Sequence, residues 1–260
     1  MSDSDAELLR RYVQDNSADA FATLVRRHLD LVYSVARRHS VSTSFADDVA
    51  QSVFIELARH AGRIKSGTPL VAWLHIVARR TALNASRAAA RRRFHETSAA
   101  ADLAMKPDAS PPSWTAIEPL LDEAVESLPL ADRTAVLLRF FENKNYREIG
   151  GSLGISDDAA QKRISRALEQ LRVFFLRRGA PIAAAALAEE LGAHAVVTAP
   201  AGLLAAISVP SFQFAAAATA VAMTTLQKSA LVFAAVLLAG FGLYEAAVVH
   251  RQHNELTRLN

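Results

Sequence analysis

"IGGSLGISDDAAQKRISRALEQLR", residues 149–172, reads as two short helices joined by a tight turn. Tyr146, Ile149 and Leu153 fall on one face of the first helix, and Gly154 is placed to take the left-handed conformation that ends it. Ser156 suits the N-cap of the second helix, with Asp157 and Asp158 in its first turn. At about 100° per residue, Ala160, Ile164, Ala167, Leu168 and Leu171 form a buried stripe. Lys162 and Arg166 project opposite that stripe, with Gln161 and Arg163 on its flanks. A helix-turn-helix presents its second helix to a major groove in this way, apolar behind and basic in front. Arg and Gln fit guanine and adenine edges, whereas Lys mostly meets phosphates. An amphipathic hairpin with a solvated basic face carries the same pattern, so the helix pair alone leaves DNA binding open.

Around this pair, charge is unevenly placed. Residues 1–178 hold 26 of the 29 Lys and Arg and 22 of the 26 Asp and Glu. No charged side chain occurs from Leu191 to Gln227. The basic balance, with a pI near 9.4, permits a nucleic acid or an anionic membrane as partner. The absence of Cys excludes disulfides, thiolate zinc sites and cysteine nucleophiles and suits a reducing cytosol. "MSDSDAELLRRYV" is acidic and has no apolar core, which predicts no signal peptide and a cytoplasmic front half. The eight His show no zincin spacing, "GGSLG" lacks the Lys-Ser/Thr of a phosphate loop, and no nucleophile–base pair stands out. The chain is expected to be no enzyme and to need no cofactor or metal.

The fold expected is all-α. Residues 1–95 predict a helical bundle: "AFATLVRRHLDLVYSVARRH" stripes Phe21, Leu24, Val25, Leu31, Val32 and Val35, and "DDVAQSVFIELARHA" stripes Val49, Val53, Phe54 and Leu57. "PLVAWLHIVARRTALNASRAAARRR" opens at Pro69 and buries Leu70, Trp73, Leu74, Val77 and Ala78. Residues 96–118, with Pro107, Pro111 and Pro112, read as a linker. Residues 119–178 hold the helix-turn-helix domain and 179–228 an Ala-rich spacer.

"LPLADRTAVLLRFFENKNYREIGGSLGISDDAAQKRISRALEQLR" resembles the C-terminal promoter-recognition domain of bacterial extracytoplasmic-function (ECF) sigma factors of the sigma-70 family. The positions that carry the likeness are Leu128, Pro129, Arg133, Val136, Leu138, Arg139, Glu148, Ile149, Leu153, Gly154, Ile155, Ser156 and Arg163. The front bundle is similar to that family's core-binding and minus-ten-recognition domain, so the resemblance covers about residues 5–178. Gln161 and Lys162 stand where many members have Lys-Ser, Asn143 where a Gly is common, and Asn84 where an Asp is frequent.

The resemblance implies a sigma factor that binds core RNA polymerase, through its β′ and β subunits, and opens promoter DNA. It assigns polymerase docking to Asp47, Asp48, Gln51 and Glu56, with Phe54 either core or contact. It assigns minus-ten DNA to Lys65 in the loop "RIKSGT" and to Arg79, Arg80, Asn84, Arg87, Arg91 and Arg92. Trp73 in the same helix reads as core rather than as a base-stacking platform. Minus-thirty-five DNA falls to Ser156, Gln161, Lys162, Arg163 and Arg166. The alternatives are a helix-turn-helix regulator that is not a sigma factor, and a membrane adaptor.

Residues 229–249, 21 residues with Glu245 as their one charge, predict a transmembrane helix of about 31 Å, close to a bilayer's hydrocarbon thickness. A short polar tail, 250–260, follows. The expected location is the cytoplasmic face of the inner membrane, by a single span, with an anti-sigma factor or a protease as a conceivable further partner. Lys228 before the span against Arg251 and Arg258 after it favours the tail inside, which a large cytoplasmic domain overrides.

Overall fold

The computed structural model describes residues 3–40, 42–65, 67–96 and 112–208, all within one compact unit spanning Met1–Ser211. Helices α1 (Asp5–Gln14), α2 (Ala18–Arg38), α3 (Thr43–His60) and α4 (Leu70–Glu96) build the front bundle. Each of the first three starts at a serine whose hydroxyl accepts an N-terminal N–H: Ser4 from Glu7, Ser17 from Ala20 and Ser42 from Phe45. The expected start of α3 at Asp47 is therefore moved back to Thr43, and Asp47 and Asp48 sit in its second turn. Leu24, Val25, Val32, Val35, Val53, Phe54, Leu57 and Leu74 are fully buried between these helices. A single 3₁₀ turn, Ala61–Arg63, leads toward the loop before α4.

The second part comprises α5 (Pro112–Ser127), α6 (Leu130–Val136), a π-helical turn Leu137–Phe141, α7 (Tyr146–Leu153) and α8 (Asp157–Arg177). Here the expected linker is corrected: α5 begins at Pro112, inside the stretch 96–118. Trp114, Ile117 and Leu121 recur at helical spacing and are buried, while Pro119 rides on the exposed face. The apolar stripe outweighs the helix-breaking signal of the prolines. After the π turn the chain reverses at Asn143, whose φ of 52° is left-handed. Asn tolerates that conformation better than most residues.

The expected spacer is also revised as far as it is described. Residues 184–194 and 201–208 are helices, α9 (Ala184–His194) and α10 (Ala201–Ser208), and Leu187, Leu191, Ala195, Leu203 and Ile207 are buried. Helix α9 packs on α5 and α8, and α10 on α2 and α3. Among the described residues no helix is long and apolar enough to cross a membrane. The span expected at 229–249, the tail and the rest of the spacer lie outside the described residues.

Candidate nucleic-acid and polymerase interface

The helix-turn-helix closes as its sequence predicts. Asn145 and Glu148 form a reciprocal capping box at the start of α7, both bonds being 2.9 Å. Gly154 takes φ 67° and ψ 34°, and the Ile155 N–H donates to the Gly150 carbonyl at 2.9 Å. Gly150 is needed for a different reason: a Cβ there would lie 2.7 Å from the Ile155 carbonyl oxygen. The Ser156 hydroxyl accepts the Ala159 N–H at 3.2 Å, so it is spent on the cap of α8. Ala160, Ile164, Ala167, Leu168 and Leu171 are buried as expected, and Phe175 extends the stripe.

On the outer side, Gln161 and Lys162 are exposed. Arg163 and Arg166 are drawn together by Asp132 of α6, which the sequence reading did not single out. Arg163 Nη1 donates to Asp132 Oδ1 at 2.9 Å and Arg166 Nη2 to the same oxygen at 3.2 Å. Gln170 Nε2 reaches the other oxygen at 3.4 Å. Asp132 is buried; the Arg163 side chain is 27% exposed and that of Arg166 61%. Arg163 is thus mostly an internal tie between α6 and α8, and Arg166 is the more available of the two. Two other motif arginines are structural: Arg133 donates to the Leu128 carbonyl at 3.0 Å, and Arg139 donates to the Lys144 carbonyl at 3.1 Å while lying over the Tyr146 ring.

In the front bundle the polymerase-docking candidates divide. Asp48 is exposed, and Asp47 and Gln51 half-buried, along one flank of α3; Asp47 Oδ1 is buried with no hydrogen-bond partner. Glu56 lies about 180° around the helix from Asp47 and pairs with Arg80 at 2.7 Å. Phe54 is fully buried, which places it in the core. On α4, Arg80, Asn84, Arg87 and Arg91 are exposed and recur at spacings of four, three and four, so they share a face. Arg79 is turned off that face and pairs with Glu126 of α5. Trp73 is half-buried and packs against the core. Lys65 is exposed in its loop, whereas the Arg92 side chain falls outside the described residues.

Charged side chains also line the seam between the front bundle and the helix-turn-helix part. Asp122 of α5 accepts from Arg38 Nε and Nη2 at 2.9 and 2.8 Å and contacts His75 Nε2 at 3.1 Å and His39 Nε2 at 3.0 Å. Burial pushes its carboxyl pKa up, but Arg38, His39 and His75 outweigh that and hold it well below the usual carboxylate range. Elsewhere on the seam, fully buried His28 lies between Asp5 and Glu142, its Nε2 and Nδ1 at 3.1 and 2.7 Å from their oxygens. The Glu142 contact is an ion pair rather than an aligned hydrogen bond. Burial lowers the imidazole pKa, yet the two carboxylates more than reverse this and raise it to about 9.

The family model "Sigma-70 region 2" matches residues 24–93, and "Sigma-70, region 4" matches 119–171. The RNA polymerase sigma factor CarQ of Myxococcus xanthus is 34% identical over 165 residues, covering 61% of this chain and 91% of that protein. The chain belongs to the sigma-70 family. The ECF sigma factor SigE of Mycolicibacterium smegmatis is 32% identical over 166 residues, covering 63% of this chain and 64% of that protein. Among solved structures, CnrH in complex with the cytosolic domain of CnrY is similar at 21% identity and a TM-score of 0.33, covering 66% of this chain and 97% of that one. In this sigma-70 member, region 2 coincides with α2, α3 and most of α4, and region 4 with α5 to α8. Helices α9 and α10 lie beyond both regions.

Proposed function

We propose that the chain is a sigma factor that docks on core RNA polymerase through α3 and reads promoter DNA with α4 and α8. One observation carries this reading: both family regions are present in order, and the second folds as a capped helix-turn-helix with Gln161, Lys162 and Arg166 outward. Arg80, Asn84, Arg87 and Arg91 supply the minus-ten contacts, mainly to phosphate, with Lys65 beside the melted strand. Asp47, Asp48 and Gln51 make the polymerase contact, while Glu56 acts chiefly through its pair with Arg80. Arg163 positions Arg166 through Asp132.

Residues 229–249 anchor the protein to the cytoplasmic face of the inner membrane, a reading supported by their length and by Glu245 being the single charge among them. Promoter-directed run-off transcription by purified protein with core enzyme tests the central claim. A promoter-specific transcript that requires the protein is expected. If core polymerase neither binds it nor gains promoter specificity, the chain is a regulator or adaptor instead.

A further inference from the structure

Residues 195–199 run along α2 as a strap. The Ala195 carbonyl accepts from Arg38 Nη1 at 2.8 Å, the Val197 N–H donates to Ser34 Oγ at 2.8 Å, and the Ala199 N–H donates to Asp30 Oδ1 at 2.9 Å. As the strap advances two residues, α2 recedes by four. A nearly extended chain covers about 6.6 Å in two residues, and a helix rises about 6.0 Å in four, so the two stay in step. Three consecutive turns of α2 are therefore bonded to one irregular segment. On one side of the strap α9 is fixed to α5 and α8; on the other, α10 is fixed to α2 and α3. Leu187 and Leu191 bury the first contact, and Leu203 and Ile207 the second.

We infer that residues 180–208 are an autoinhibitory clasp that holds regions 2 and 4 shut against each other until core polymerase displaces it. This rests on the sigma-factor reading. Two observations support it beyond the strap itself.

The first is a matter of size. A compact body of about 210 residues has a radius of gyration of roughly 17 Å and a diameter of roughly 45 Å. The minus-ten and minus-thirty-five elements are separated by about 25 base pairs, roughly 85 Å of duplex at about 3.4 Å per pair. The closed body cannot place α4 on one and α8 on the other. The second is the chemistry of the seam. Arg79, an expected minus-ten contact, is engaged by Glu126, while Asp122 and Glu142 take Arg38, His75 and His28. Such a seam can part into water more readily than an apolar core.

The chain has no Cys, so R59C on α3 and A131C on α6, both at exposed positions, would give two clean spin labels in the full-length protein. Labelled wild type in mild detergent should show a single narrow distance distribution, lengthened on adding core polymerase. L203D with I207D should lengthen it without polymerase and tighten apparent polymerase binding by about tenfold. V197P, which removes one strap donor and no buried side chain, should act in the same direction and serves if the double variant fails to fold. A wild type that is already open without polymerase overturns the clasp. So do variants that open yet bind polymerase no more tightly. Absence of polymerase binding by wild type and opened variants alike would overturn the sigma-factor reading, and the inhibitory role with it, while the distances still report whether the strap closes the protein.

Discussion

Asp132 receives Arg163, Arg166 and Gln170 from successive turns of α8, and the two arginines differ in exposure, so they are not interchangeable. Arg166→Ala should cost about 1–3 kcal/mol of minus-thirty-five binding if a base contact is lost, with the fold unchanged by circular dichroism. Arg163→Ala should lower thermal stability as well, because it leaves buried Asp132 short of a partner. Lys162→Ala should reduce the salt dependence of binding with little change in sequence preference, read from affinities over a range of salt concentrations. At the seam, Asp122→Ala strands Arg38 and should cost about 3–5 kcal/mol in urea denaturation. His28 titrates near 9 in the folded protein against an ordinary value of 6.5. Because the folded pKa is raised, its contribution is complete below about pH 6.5 and is lost as pH rises through 9. The contribution is on the order of 3 kcal/mol. Groups facing the ring are Asp5, with Arg27 beside it, and Glu142. Wild type should therefore lose more melting temperature between pH 6.5 and 9.5 than His28→Gln; equal losses would remove His28 from that role.

Among elements, α3 offers the sharpest test of docking, since Asp47, Asp48 and Gln51 lie within about 100° of one another and all three keep exposed surface. Charge reversal at Asp47 and Asp48 together should weaken core-polymerase binding in a pull-down while helicity is kept; unaltered binding would move the contact elsewhere. The front helices were legible from their apolar stripes, and the helix-turn-helix from Ser156 and Gly154 as well, because such signals act within one or two turns of chain; the Ser42 cap that starts α3 went unread beside Asp47 and Asp48. The beginning of α5 was obscured because Pro112 and Pro119 signal a break, while burial of Trp114 against α9 and the core is a tertiary effect. The role of Asp132 was hidden for a similar reason: its partners are 31 to 38 residues away. Nothing in "AHAVVTAP" announces the strap, because its bonds use backbone groups that every sequence possesses.

At the scale of the molecule, clasp and anchor are separable. A chain ending at Ser208 keeps α9 and α10 but lacks residues 229–249. Full-length protein should stay with membranes through carbonate extraction, and the shortened chain should fractionate as soluble protein. If full-length protein washes off, the anchor is absent, and the readings of regions 2 and 4 are untouched.

The strap also has a bearing on dosage. It is continuous with the helices that it covers, so inhibitor and target are made in a one-to-one ratio at every level of expression. A separate inhibitor can be outnumbered when its target is overproduced; a covalently joined one cannot, because its local concentration is fixed by the chain, on the order of millimolar for short connections. Making more of this protein would thus enlarge the closed pool and the open pool in proportion, leaving the fraction ready for transcription unchanged. Only a ligand that prefers the open form, added at its own concentration, can alter that fraction.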